Sequence, residues 1–392
     1  MKSVNKWIKL YFALGLNYDE ILSCLAFKNH IIISKSTLRR KLKQCRLFRR
    51  KYYSDILEVA LFIISELESS GRQHGYRWMH LKCLQSGYNV TRDTVYLLLQ
   101  ILDSEGVKSR KRRRLKRRQY HSKGPNYVWH MDSYDKLKPY GIAINGCIDG
   151  FSRNIVWLEA NITNSDPKVI ANYYIKAVRR KSGCPQRIRA DLGTENTYVE
   201  QMQKFLRRDH ADELAGDKSF LYGKSTHNQR IEWFWGLLRR EMGQYYMDMF
   251  SEFSRDDSDL FCGDHLDKSL IQYCFMDLIQ RDLDSLQLTW NTHTLQSKQN
   301  YGTERQRPIL LYTMPELYNA EERLCRVEDN EIDICEEETV YRTILCDETI
   351  ACLCEMIRRE NNLQKPSYAD EAKDLYKRLR RLIRFELESM DV

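Results

Sequence analysis

No window of this chain holds the roughly 18 consecutive apolar residues that a membrane-spanning helix needs. The start, Met1-Lys2-Ser3-Val4-Asn5-Lys6-Trp7, has no apolar signal-peptide segment. A soluble, intracellular protein without a membrane partner is expected. No Cys-x-x-Cys pair occurs among the twelve cysteines; the closest approach is Cys352-x-Cys354, on an apolar helical stretch. That pattern argues against a zinc site or a disulfide framework, and reduced, mostly buried thiols are expected. There is no internal repeat and no Ser or Tyr nucleophile motif.

What is present is ordinary in bulk and uneven in distribution. At 392 residues, 42% hydrophobic and 30% charged, the chain is long enough for two or three domains with cores of their own. Residues 1–124 hold 27 Lys and Arg against 9 Asp and Glu, whereas the remainder holds 36 against 45. A basic front on an acidic body reads as a nucleic-acid-binding module joined to something else.

Residues 1–50 predict a small helical unit. Val4, Trp7, Ile8, Leu10, Tyr11 and Leu14 mark one amphipathic helix ended by Gly15; Asn17 or Asp19 can cap a second; Ser36 caps a third. The third carries Arg39, Arg40 and Lys43, cations long enough to reach phosphates and base edges in a helix-turn-helix geometry. A solvated basic face is the plainer alternative. Residues 51–107 repeat the pattern: an apolar helix over Ile56–Leu67, a helix from Tyr76 stopped at Gly87, and one capped by Thr91 that exposes Arg92 and Thr94. In the basic linker 108–124, nine of the eleven residues from Lys108 to Arg118 are cations, among them Arg112, Arg113 and Arg114. Such a run suits nuclear import, phosphate contacts or both, and a plain solvated tether is its other reading.

Residues 125–250 carry the chemistry. The pattern predicts strands at 127–134, 141–148 and 153–160, a helix at 167–181, a strand at 186–191, a helix at 196–208, a short strand at 220–222 and a helix at 227–247. That is an α/β core with a mixed sheet. Asp132 lies on the first strand, Asp191 closes the fourth and Glu232 sits on the last helix, so the three acids could converge on one pocket. Residues 251–392 read as mainly helical, with a helix over 270–288 followed by a loop, and an amphipathic helix from Ala369 to Met390.

Trp129-His130-Met131-Asp132, the run Ile142–Val156, Asp191-Leu192-Gly193-Thr194-Glu195-Asn196 and Asn228-Gln229-Arg230-Ile231-Glu232 together resemble the integrase-core superfamily of retroviral integrases and insertion-sequence transposases. The resemblance covers about residues 127–245. Weaker likeness reaches Gly75-Tyr76-Arg77, Val90 and Val95-Tyr96, similar to the helical DNA-binding unit of some bacterial transposases. It implies an RNase H-like catalytic core, preceded by helix-turn-helix units and followed by a mainly helical region. It further implies metal-dependent cleavage and joining of DNA phosphodiesters by Asp132, Asp191 and Glu232. Two Mg²⁺ or Mn²⁺ ions are expected, with Asp132 shared between them. Asn228 and Arg230, at the helix entry, are the implied strand contacts. DNA is the expected partner and the protein is expected to act as a homo-oligomer. Its location would be the nucleus in a eukaryote and otherwise the cell interior. The His-His-Cys-Cys zinc module and the basic SH3-like tail of retroviral integrases have no counterpart here, so zinc is not carried over.

Each acid also has an ordinary reading: Asp132 as a solvated strand end, Asp191 as a turn residue, Glu232 as a helix-face acid. Asp135, Asp149, Glu195 and Glu241 compete with them; Asp149-Gly150 reads as a turn, Glu241 lies too far along its helix, and Glu195 is the best substitute. Trp233, Phe234 and Trp235 read as core packing ahead of base stacking. The competing functional class is a host-retained DNA-binding or regulatory protein with the integrase fold and no strand transfer. A nuclease acting on RNA–DNA hybrids is disfavoured by the paired helix-turn-helix candidates.

Overall fold

The computed structural model describes residues 2–110, 122–223, 228–254, 260–295, 306–341 and 346–390. Two compact units emerge, one from residues 1–121 and 288–321, the other from 122–287 and 322–392. The expected run Arg112–Arg114 lies outside the described residues, as does His227.

In the first unit, helices α1 (Lys2–Ala13), α2 (Tyr18–Asn29) and α3 (Lys35–Gln44) pack around Ile8, Ile21, Leu25, Leu38 and Leu42. Asn17 caps α2 in a full capping box with Glu20. Ser34, not Ser36, caps α3: its hydroxyl accepts from the Thr37 amide at 3.2 Å, and Ser36 already lies inside the helix. Helices α4 (Ile56–Leu67), α5 (Tyr76–Gln85) and α6 (Arg92–Leu102) enclose Val59, Ile63, Met79, Val95 and Leu99, and α7 (Ser104–Arg110) follows. Thr91 caps α6 as expected, but its hydroxyl also bonds that of Thr94 at 2.8 Å, which draws Thr94 inward.

The second unit is built on a sheet. Strands β1 (Val128–Tyr134), β2 (Ala143–Asp149) and β3 (Ile155–Asn161) form an antiparallel meander. Helix α8 (Pro167–Lys181) opens with Pro167 after the cap Asp166. It leads through β4 (Gly183–Cys184) to β5 (Arg187–Ala190), which pairs parallel to β1. After α9 (Thr197–Leu206), β6 (Phe220–Tyr222) completes the order β3-β2-β1-β5-β6. This mixed five-stranded sheet with surrounding helices is an RNase H-like α/β fold. Period-two alternation sends Trp129 and Met131 into a core with Trp157, Tyr174 and Ile188 beneath α8 and α9. His130, Asp132 and Tyr134 therefore share the opposite face.

That face receives α10 (Gln229–Leu238). The expected helix over 227–247 is interrupted: a π turn at Arg239–Gly243 adds a residue to the winding before α11 (Gln244–Phe253). Helix α12 (His265–Thr292) continues through the residues expected to form a loop after 288. Its Gln280 and Gln287 side chains bond the backbone of edge strand β3 at Leu158, Ala160 and Ile155. An unpaired strand edge would otherwise invite another chain. Beyond Leu288 the chain returns to the first unit, where α13 (Pro308–Thr313) follows Arg307. Arg307 is 6% exposed and pairs with Glu20 at 2.9 Å, so the return segment is tied to α2 by a buried ion pair. The second unit ends with β7 (Cys325–Arg326), paired to β4, then α14 (Asp329–Glu337), α15 (Glu348–Glu360) and α16 (Ala369–Met390). No helix among the described residues is long and apolar enough to cross a membrane. Most cysteines are buried, as expected.

Asp267 on α12 is fully buried and accepts from Arg380 of α16 at 2.8 Å. Burial alone would raise its pKa, but Arg380 and the Cys262 amide and thiol hold it below the usual carboxylate range. A depressed folded pKa contributes stability above the unfolded pKa of about 3.9 that is lost as pH falls through the folded value. Asp267→Asn should cost about 3 kcal/mol at pH 7, because it leaves a buried guanidinium unpaired. In urea titrations the gap between wild type and variant should narrow at pH 3.

Candidate active site at the sheet end

Strand pairing brings the first two acids together. The parallel ladder sets Val128 opposite Arg187, Trp129 opposite Ile188 and His130 opposite Arg189. Two further steps in that register put Asp132 level with Asp191, just past the end of β5. Neighbouring strands lie about 4.8 Å apart, so the two acids are neighbours on the same face of the sheet. Across the antiparallel ladder, Asp132 faces Gly146 of β2.

Glu232 arrives on α10, which is tied to β1 at two points. Asn228 is 2% exposed; its amide donates to the Met131 carbonyl at 2.8 Å and its oxygen accepts from His130 Nδ1 at 2.7 Å. An asparagine at this position commonly caps a helix, but here no cap bond forms and the amide is committed to β1. Because Asn228 donates to a carbonyl, its oxygen must accept, and His130 must carry the proton on Nδ1. Burial lowers the His130 pKa to about 3, so the ring is neutral. One turn beyond Glu232, Trp235 Nε1 donates to Asp132 Oδ2 at 2.8 Å.

The electrostatics follow from this crowding. Burial pushes the Asp132 pKa up to about 7; the Trp235 and Ser133 N–H groups oppose the rise, and the charges of Asp191 and Glu232 add to it. Glu232 is raised by burial and then by Asp191. Three mutually repelling carboxylates form a hard-oxygen donor set suited to Mg²⁺ or Mn²⁺. They are spread more widely than a single tight cage: among the described residues, only Cys262, Asp264 and Asp267 place three potential ligand atoms within 4.8 Å of one another. That second group is engaged by Arg380 and Arg384.

Of the competing acids, only Glu195 lies beside the site. Asp149 is fully buried and accepts from the Asn126, Phe151 and Ser152 amides, a turn role as expected. Glu241 is 4% exposed within the π turn beside Arg240. Glu195 folds over Gly193, where a Cβ would come within 2.0 Å of its carboxylate, and Asn196 links it to Asp191. Asp135 accepts from Asn164. The family model described as Integrase core domain matches residues 119–323, just over half of the chain. The chain belongs to the integrase core family. Members of this family are nucleotidyl transferases of the integrase and transposase type. A search of curated proteins returns no match.

Within this integrase core, Arg230 is half-buried and bonds the Gly150 carbonyl at 3.0 Å. Asn228, expected to touch a DNA strand, is instead spent inside the protein. Arg39, Arg40 and Lys43 are exposed on α3, and Arg92 is exposed at the start of α6. The two third helices differ: α6 also turns Leu97 and Ile101 outward, whereas α3 presents cations. Trp235 and Phe234 are buried, in keeping with packing. His130, Gly146 and the polar role of Trp235 escaped the sequence reading. Alternation already sets His130 beside Asp132, a glycine inside a strand signals close approach, and Trp235 shares a helix face with Glu232.

Asn228→Ala would strip partners from His130 and the Met131 carbonyl, each buried. Chemical denaturation should show a loss of about 1–3 kcal/mol.

Proposed function

We propose that the protein is a metal-dependent DNA strand transferase, cleaving and joining phosphodiesters through Asp132, Asp191 and Glu232. The observation that carries this reading is the parallel register that sets Asp132 level with Asp191, with Glu232 brought to the same face by α10. Asp132, Asp191 and Glu232 would together hold two divalent cations. Bound there, the cations would activate a water or a DNA 3′-hydroxyl and stabilise the leaving oxygen. The chain's own residues supply position: the interior strands β1 and β5 carry two acids on one rigid face, and α10 holds the third against them. Buried His130 stays neutral, so it adds no charge to offset the acids. A strand contact by Arg230 would require it to give up its bond to the Gly150 carbonyl.

DNA is the proposed partner, and the exposed cations of α3 support phosphate contact by the first helical unit. The basic run 108–118 supports nuclear import if the source is eukaryotic. Two DNA ends call for two sites, so a homo-oligomer belongs to the same reading.

The test uses labelled DNA from the flanks of the gene. Wild type should give Mg²⁺- or Mn²⁺-dependent cleaved and joined products, and Asp191→Asn should give none. Tight binding without products, identical in both proteins, would favour the DNA-binding role without catalysis. Replacing Arg39, Arg40 and Lys43 by Ala should weaken binding alike on unrelated sequences. The slope of log affinity against log salt should fall by about 3, close to one per lost phosphate contact.

A further inference from the structure

Asp132 does not meet its cations with a free carboxylate. Its Oδ2 already accepts the indole N–H of Trp235 at 2.8 Å. Indole nitrogen only donates, and a bond from it to a carboxylate is charge-assisted and directional. The ring that makes this bond is tightly held. Trp235 is 6% exposed, with its centroid 5.5 Å from that of Tyr134 and 5.7 Å from that of Phe234. Its far edge covers Gly146, where a Cβ would come within 2.8 Å of Cη2. Gly146 is the residue facing Asp132 across the β1–β2 ladder. A missing side chain on one strand thus makes room for the indole that grips the acid on the next.

Trp235 also follows Glu232 by one turn of α10, so the two side chains share a helix face. One hydrogen bond therefore orients the first acid and sets the helix that carries the third. The Asn228 clasp, at the start of the same helix, fixes its other end to His130 and Met131.

We propose that Trp235 is a positioning residue for the cation site: its N–H selects one rotamer of Asp132 and thereby raises affinity for the divalent ion. This rests on the metal-dependent reading above. Trp235 acts through Asp132 and touches neither substrate nor reacting atoms. A tryptophan that merely filled the core would be replaceable by any ring of its shape, which the test exploits.

In the full-length protein, Trp235 is replaced by 3-benzothienylalanine, which keeps the ring shape and puts sulfur in place of N–H. Mn²⁺ binding is measured by electron paramagnetic resonance of the free ion, with circular dichroism to confirm the fold. Mn²⁺ affinity should fall by about tenfold or more, the usual effect of removing a partner of a metal ligand. Gly146→Ala, which displaces the ring, should weaken Mn²⁺ binding in the same direction. Unchanged Mn²⁺ affinity in the benzothienyl protein overturns the proposal while leaving the metal site intact. Wild type that takes up no more Mn²⁺ than Asp191→Asn overturns the metal reading itself, and the role of Trp235 with it.

Discussion

The parallel pairing of β1 with β5 is the constraint on which the site depends. It sets two aspartates from distant parts of the chain at one level on one sheet face. Like charges brought close in this way repel each other. The sheet holds them because the other face of the same strands is anchored: Trp129, Met131, Ile188 and Ala190 are all buried beneath α8 and α9. Alternation along β1 separates the two tasks, with odd-numbered residues in the core and even-numbered residues in the site. The raised pKa of Asp132 records its burial first, and the neighbouring charges of Asp191 and Glu232 add to it.

Helix α10 answers a different problem, since a carboxylate on a helix must be held against a sheet face without a ladder of backbone bonds. Two side chains do this, Asn228 at the helix entry with two bonds and Trp235 one turn beyond Glu232 with one. Both spend their polar groups on β1. The π turn that follows re-aims the chain, so that α11 leaves on a different winding from α10. Edge strand β3, on the far side of the sheet, is closed by glutamines of α12. The C-terminal region thereby completes the sheet that carries the acids.

The first unit contributes a different kind of surface. Its third helix presents Arg39, Arg40 and Lys43, whereas α6, in the same position of the second helical triplet, turns Leu97 and Ile101 outward. Two sequence segments of similar pattern have come to differ in what they offer a partner. A helix-turn-helix spacing alone cannot distinguish them, because the spacing reflects the buried face and the partner meets the exposed one.

By itself, the sequence determined most elements of the core and singled out three candidate acids. Alternation and helical period located the five strands of the main sheet and helices α8 and α9 to within a few residues, because those periods follow from backbone geometry; the short β4 and the π turn after α10 were not legible. Asp132, Asp191 and Glu232 were legible from local motifs, as was the turn at Asp149. Tertiary structure alone decided how they meet. The parallel register, the inward turn of Asn228 and the grip of Trp235 on Asp132 through the space at Gly146 all join residues far apart in the chain. A local pattern carries no record of such partners. Asn228 shows the reason most plainly: its type suited either a helix cap or a DNA contact, and only the nearness of His130 and the Met131 carbonyl sent its amide inward.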